Sequence, residues 1–398
     1  MATLSAPPGG AVGRPRIIGP MVEAGDRIRV AFDAHVIGRR RTGNERYAAD
    51  LASALAARPD VDLLAYVDRG ARWPATSAAP TSAAPPLREL RFPWPQVRIA
   101  VELPYRAWRD GADLLHVQYV RPPYSRTPVA TAIHDLSFED LPDAFPGPMR
   151  MRLRLTVRHA VRRSAVILVL SRFTRDRLVA RYGVDPSRVH VAPPGVSSVW
   201  SGPLAPGAAE ALRALVLPPT FVLAVGGLHP RKNMPRLIRA VAEARRRGAG
   251  DLSLVLAGAD GWRIGEVDAA IAEADGGAWV RRLGYVSDEV LAALYRAARV
   301  VAYPSLYEGF GLPVLEALAS GAVVVASSTT SVPEAAGDAA LLVDPTDTAA
   351  IADTLARAAT DEPLRERLSS AGPIHAARFT WAASAEATVA AYRWALAC

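Results

Sequence analysis

Cysteine is almost missing from this sequence: the only one, Cys398, is the last of 398 residues. One thiol can build neither a disulfide framework nor a cysteine-rich metal site, and its rarity fits a reducing cytoplasm. No apolar run reaches the roughly 18 residues that a membrane-spanning helix needs. The opening segment, MATLSAPPGGAVGRPRIIGP, lacks the basic-then-apolar layout of a secretory leader, and its Pro and Gly predict a flexible tail over residues 1–25. The only Asp-x-Asp, Asp60-Val61-Asp62, precedes its strand instead of ending it. Its carboxylates are therefore read as loop capping, and no metal or other cofactor is expected. No zinc-ligand spacing or nucleic-acid-reading motif accompanies the formal charge of +8, so nucleic acid is not an expected partner.

What is present is a globular composition, half hydrophobic and 22% charged, on a chain long enough for two domains. RIRVAFDA (27–34) reads as a buried strand followed by the helical GNERYAADLASALAAR. LLAYV, LLHVQY, ATAIHD and AVILVLS continue the series, the last leading into RFTRDRLVARYG. The pattern breaks into Pro, Gly and Ala over 199–219 and restarts with FVLAVGG, LSLVLAG, WVRRLGYV, RVVAYPS, AVVVASS and ALLVD. Strands alternating with helices predict two consecutive parallel α/β units, 26–205 and 206–375. A closing helix over 376–398 is expected to pack back on the first unit.

Ligands of doubly wound sheets sit outside the carboxyl ends of the strands. FVLAVGG ends in LHPRKN, which puts Gly227, Arg231 and Lys232 at such an end. A glycine pair admits close approach, and adjacent cations suit a phosphate or diphosphate; a solvated loop before a helix is the other reading. In YEGFGLPVLEALASG, Gly311-Leu312-Pro313 reads as a helix start whose free N–H groups favour an anion or sugar hydroxyls. Glu308 is expected to face that pocket from the loop and Glu316 from the first helical turn, where an acid is also favourable for structural reasons alone. Ser331 and Glu334 in SVPE have the spacing of a capping box. His134 ends ATAIHD, with Asp135 placed either to orient the imidazole or to cap the next turn.

EGFGLPVLE, with GGLHPRKN, LGYVSDEVLAALY and SSVPEAAGDAALLVDP, resembles the C-terminal blocks of the GT4 family of retaining glycosyltransferases. IHDLSFEDLPDAF and LSRFTRDRL…VHVAPPGV resemble its N-terminal blocks, and the likeness runs from about Arg27 to Ala391, closest to mannosyltransferases of bacterial surface polysaccharides. The resemblance implies a GT-B fold, two doubly wound, parallel-sheet, Rossmann-like domains facing a cleft. It implies that Glu316 binds the ribose of a nucleotide sugar and that Glu308 holds the donor sugar with Gly309, Phe310, Gly311 and Leu312 nearby. Arg231 and Lys232 then neutralise the diphosphate, Tyr285 and Val286 border the base, His134 contacts the sugar or the reacting phosphate oxygen, and Gly43 lies near the diphosphate. Relatives carry a Gly-rich pattern where this chain has Thr42-Gly43-Asn44-Glu45, which leaves Asn44 without an assigned role.

MRMRLRLTVRHAVRR (149–163) repeats Arg150, Arg154, Arg158 and Arg162 beside an apolar stripe of Leu153, Val157 and Val161. It reads either as a first-domain helix with a basic solvent face or as a peripheral contact with an anionic membrane. The functional expectation is transfer of mannose from GDP-mannose to a glycan or lipid-linked acceptor, in the cytoplasm or at the inner face of the plasma membrane. A UDP-sugar donor and a non-catalytic nucleotide-sugar-binding subunit are the alternatives.

Overall fold

A computed structural model describes residues 27–38, 42–74, 84–92 and 94–398; the tail expected over 1–25 lies outside them. Among the described residues the apolar runs form thirteen strands. In the first lobe these are β1 (Ile28–Asp33), β2 (Val61–Asp68), β3 (Leu87–Leu90), β4 (Leu114–Gln118), β5 (Val129–Ile133), β6 (Val166–Val169) and β7 (Val189–Val191). In the second they are β8 (Phe221–Val225), β9 (Ser253–Ala257), β10 (Val280–Gly284), β11 (Val300–Tyr303), β12 (Val324–Ser327) and β13 (Leu341–Val343). All pairings are parallel, in the orders β3-β2-β1-β4-β5-β6-β7 and β10-β9-β8-β11-β12-β13. Central strands such as VATAI and FVLAV are buried along their whole length, because helices cover both faces of a parallel sheet.

Strand order reverses between β1 and β4 in one sheet and between β8 and β11 in the other. Loops leaving neighbouring strands there run to opposite faces and open a crevice. The chain crosses between lobes after β7 and returns through the helix Trp381–Ala397, which packs on the first-lobe helix Thr42–Ala56. Tyr392 on the returning helix lies 2.6 Å from His116 Nδ1 in the first sheet, and Trp381 sets its ring 6.0 Å from that of Tyr47. Trp200, fully buried in the crossing segment, packs edge-on against Tyr295 of the second lobe, so the apolar core is continuous from one lobe to the other.

The stripe Leu153, Val157 and Val161 on the helix Gly147–Arg163 packs into the first-lobe core. Arg154 is drawn to Glu139, which also receives Arg181 and Tyr182. The apolar stripe read from the sequence therefore faces inward and cannot enter a bilayer, while Met151 and Leu155 of the same helix stay exposed. Asp60 and Asp62 sit at the amino end of β2, paired at 2.9 Å with Arg58 and at 2.7 Å with Arg29.

Candidate functional site

The second-lobe part of the site grows out of β8. After Gly226 and Gly227 the chain makes a 3-10 turn, Pro230–Lys232, whose first free N–H, on Arg231, is met by the His229 ring. Gly226 has φ of +123°, and a Cβ there would press on Lys232 Cε at 3.3 Å, so glycine is needed for the lysine to pass. Gly227 has only ordinary space beside Ala259 O, whereas a Cβ at Gly258 would stand 2.1 Å from Gly226 O. The close approach thus belongs to Gly226 and Gly258 more than to Gly227. Asn233 then donates from Nδ2 to Pro304 O at 3.0 Å and Pro345 O at 2.7 Å, tying this turn to the end of β11.

Glu308 arrives from the β11 loop. Its Oε1 accepts from Lys232 Nζ at 2.7 Å and its Oε2 from Arg231 Nη1 at 2.9 Å, while Tyr303 OH also bonds Lys232. Burial pushes the Glu308 carboxyl up, but the two cations outweigh it and hold the group down at about 2. Burial pushes Lys232 down to about 8 despite the pull of Glu308. Desolvation also opposes the Arg231 charge, yet Glu308 and Asp135 keep it firmly protonated. The result is two preorganised cations held by a shared carboxylate at a switch point.

Beyond Glu308 the chain turns through Gly309, Phe310 and Gly311 into the helix Leu312–Ala319, with Pro313 in its first turn and Gly311 at φ +113°. Among the described residues nothing accepts from the N–H groups of Phe310, Gly311 and Leu312. Glu316 lies a turn deeper than expected: it is in the second helical turn and 1% exposed, which removes the simple helix-dipole explanation. Tyr295 OH stands 3.3 Å from its Oε2, and its Oε1 pairs with Arg46, a first-lobe residue that also reaches Asp288. Burial works against the Arg46 charge, and these two carboxylates outweigh it.

SVPE does not form a capping box. Ser331 Oγ donates to Glu308 O at 2.7 Å, and Glu334 accepts from the N–H groups of Phe173 at 2.7 Å and Arg172 at 3.0 Å. Those are the first two N–H groups of the first-lobe helix Arg172–Tyr182, so Glu334 caps a helix in the other lobe because its own helix is only one turn long.

Opposite the cations, His134 follows β5. Burial pushes its imidazole down to about 4, with Asp135 pulling the other way. Asn44 Oδ1 lies 3.1 Å from its Nδ1, the rings of Tyr47 and Tyr119 flank it, and its Nε2 is buried with no partner among the described residues. Asn44 therefore has the orienting task that was open for Asp135, which instead accepts from Ser137 N at 2.9 Å and Oγ at 2.7 Å and so caps a turn. Gly43, exposed beside Asn44, opens the same helix.

Gly309 closes the gap between the lobes. A Cβ there would fall 1.9 Å from His134 O, and its own carbonyl accepts from Ser171 Oγ at 2.8 Å and Thr174 Oγ1 at 3.3 Å. Trp262 Nε1 donates across to Ala144 O at 2.8 Å while its ring meets that of His229 edge-on. His134, Glu308, Arg231, Lys232, Gly309, Phe310 and Gly311 are thus gathered at one seam, with Glu316 one helical turn away. Tyr285 and Val286 follow edge strand β10 outside this cluster, Tyr285 being 51% exposed and Val286 tucked against the core. Sequence reading left Asn44 without a role and missed Arg46, Tyr303 and Gly258, none of which has a local pattern that marks it.

Comparison with known proteins bears on the family and the fold. Residues 41–199 match the model of Glycosyltransferase Family 4, and residues 213–375 that of Glycosyl transferases group 1. O-antigen chain mannosyltransferase B of Escherichia coli is 32% identical over 299 residues, 72% of this chain and 77% of that protein. A D-inositol 3-phosphate glycosyltransferase of Actinosynnema mirum is 40% identical over 236 residues, but that match spans only 54% of each chain. Sucrose-phosphate synthase from Thermosynechococcus elongatus shares the fold with a TM-score of 0.70 at 22% identity, over 92% of this chain and 98% of its own. The two switch-point sheets and these matches together place the chain in the GT4 family of GT-B glycosyltransferases, related to the mannosyltransferases of surface polysaccharides.

Proposed function

We propose that the protein transfers mannose from GDP-mannose to a glycan or lipid-linked glycan acceptor in the synthesis of a bacterial surface polysaccharide, retaining the donor's anomeric configuration. The observation that carries this reading is the Arg231–Lys232–Glu308 cluster facing His134 across the cleft. Departure of the nucleoside diphosphate is the difficult step, and prearranged cations stabilise the charge that develops on it. Arg231 and Lys232 take that role, with the N–H groups of Phe310, Gly311 and Leu312 as neutral donors beside them. Glu308 holds sugar hydroxyls, and His134 Nε2, free to accept, takes another hydroxyl. Glu316 receives the ribose by exchanging Arg46 for it, Tyr285 and Val286 border the base, and Gly43 and Gly227 let backbone approach the donor.

Attack from the face the leaving group vacates, with the departing phosphate taking the acceptor's proton, needs no carboxylate nucleophile. The two protein cations make a metal unnecessary in this scheme. Mannose as the sugar is supported by the named activity of the Escherichia coli relative. The reaction belongs at the cytoplasmic side of the plasma membrane, with peripheral attachment; no described helix is long and apolar enough to cross a membrane. Melting temperature separates the donors: a ligand that binds only the native state at 100 times its Kd stabilises by about 2.7 kcal/mol. GDP should raise the melting temperature and UDP should not, and a shift with UDP alone would replace the guanosine donor by a uridine one.

A further inference from the structure

The first lobe carries a second concave surface that the transfer reaction does not use. The helical segment 95–109 leads into β4, and Val101, Tyr105 and Trp108 stand exposed along it at helical spacing. With Tyr124 and the loop 121–126 they line a groove of about 730 Å³, rimmed by Arg121, Arg126 and Arg163. Among the described residues no carboxylate lines it. Other arginines of the same segment are paired, Arg98 with Asp68, Arg106 with Glu102 and Arg109 with Asp110. The three at the groove form no ion pair among the described residues. Arg126 lies 4.7 Å over the Trp108 ring, and Arg121 donates to Pro122 O at 2.6 Å while its buried Nε has no partner among the described residues. Burial and the nearby Arg163 both make the Arg121 charge less favourable, so the site holds cations that nothing in the described chain neutralises.

We infer that this groove is a docking face for a membrane surface carrying anionic phospholipid headgroups, with Tyr105, Trp108 and Tyr124 at headgroup level and the three arginines on the phosphates. Tyr and Trp present an apolar body and a polar tip, which suits the membrane–water boundary. Arginine matches phosphate with paired donors. Trp108, Arg126 and Arg163 precede β4, β5 and β6, so the groove lies toward the amino ends of the strands whose carboxyl ends carry His134. A bilayer held there leaves the cleft open. The inference deepens the peripheral attachment in the proposed function and moves it away from the outer face of the helix Gly147–Arg163.

Flotation of the full chain with vesicles tests it. The protein should float with phosphatidylglycerol-containing vesicles at low salt and remain behind with pure phosphatidylcholine. Near an anionic surface each cation is worth about 1 kcal/mol, so Arg126→Glu with Arg163→Glu should weaken partitioning by roughly tenfold or more. Trp108→Ala should weaken it at unchanged charge, whereas Arg158→Glu with Arg162→Glu, on a separate cavity, should do less. The nucleotide-dependent melting shift of the groove variants should match that of the parent, which shows that they fold. Vesicle binding that follows the groove arginines supports the docking face even if no nucleotide shifts melting. Absence of flotation, equal loss in all the charge variants, or a dimer that Trp108→Ala dissociates would overturn it.

Discussion

In the proposed reaction, Lys232 is the residue on which the chemistry turns. It is buried against Tyr303 and Glu308, and burial brings it to about 8. A cation that stabilises a leaving diphosphate works only while protonated, which holds below that value and fails as pH rises through it. The profile of kcat/KM, which reports the free protein, should be level near neutrality and fall with a midpoint near pH 8. Residual activity of Lys232→Arg should lack this limb. His134, pushed down to about 4, is already neutral above pH 5, so no acidic limb near pH 6.5 should arise from it. At this scale the sequence was informative where a residue type was unusual for its place: two cations after a strand, and two acids flanking a glycine pair. It was silent about the pairing of Arg46 with Glu316, 270 positions apart, because a pair formed by two lobes meeting leaves no local spacing to read.

Elements were legible where burial writes a continuous pattern. VATAI, FVLAV and SLVLA are apolar because helices cover both sheet faces, and each is a strand. Turn chemistry was less transferable. Ser331 and Glu334 keep capping-box spacing, yet a one-turn helix gave them other partners in the first lobe and the β11 loop. Helix 149–163 carried the signature of a membrane surface and proved to be an inward-packing layer, since periodicity alone cannot say what covers an apolar stripe. Glu334 gives a prediction at this level. Replacing it with Ala strips the acceptor from two N–H groups of the helix Arg172–Tyr182, a loss of about 1–2 kcal/mol. Its ion pair with Arg172, which is 72% exposed, should add little. Urea unfolding should show the lower midpoint; an unchanged one would mean that the helix end is satisfied without Glu334.

In the molecule as a whole, two lobes meet at a seam where Gly309 touches the backbone of His134, and the proposed transfer depends on it. Gly309→Ala places a methyl group where that carbonyl lies, so the lobes must part for the chain to accommodate it. The variant should fold, since neither sheet is disturbed, but should expand measurably in solution scattering. Its turnover should drop by on the order of 100-fold through misplacement of His134 relative to Glu308. Unchanged scattering and turnover would mean that the seam is not formed in the working protein. The two-sheet layout could be read from alternating strands and helices; the seam could not, because glycine at 309 signals a turn equally well without it.

The central claim is that the second-lobe cations drive departure of a nucleoside diphosphate from a donor sugar bound between the lobes. Proton NMR of GDP-mannose incubated with the protein and no acceptor tests it most directly, by following donor loss and the anomer formed first. The account predicts slow release of GDP with retained configuration, reduced by roughly 100-fold or more in Lys232→Ala. Inverted product, or turnover unaffected by loss of Lys232, would contradict it.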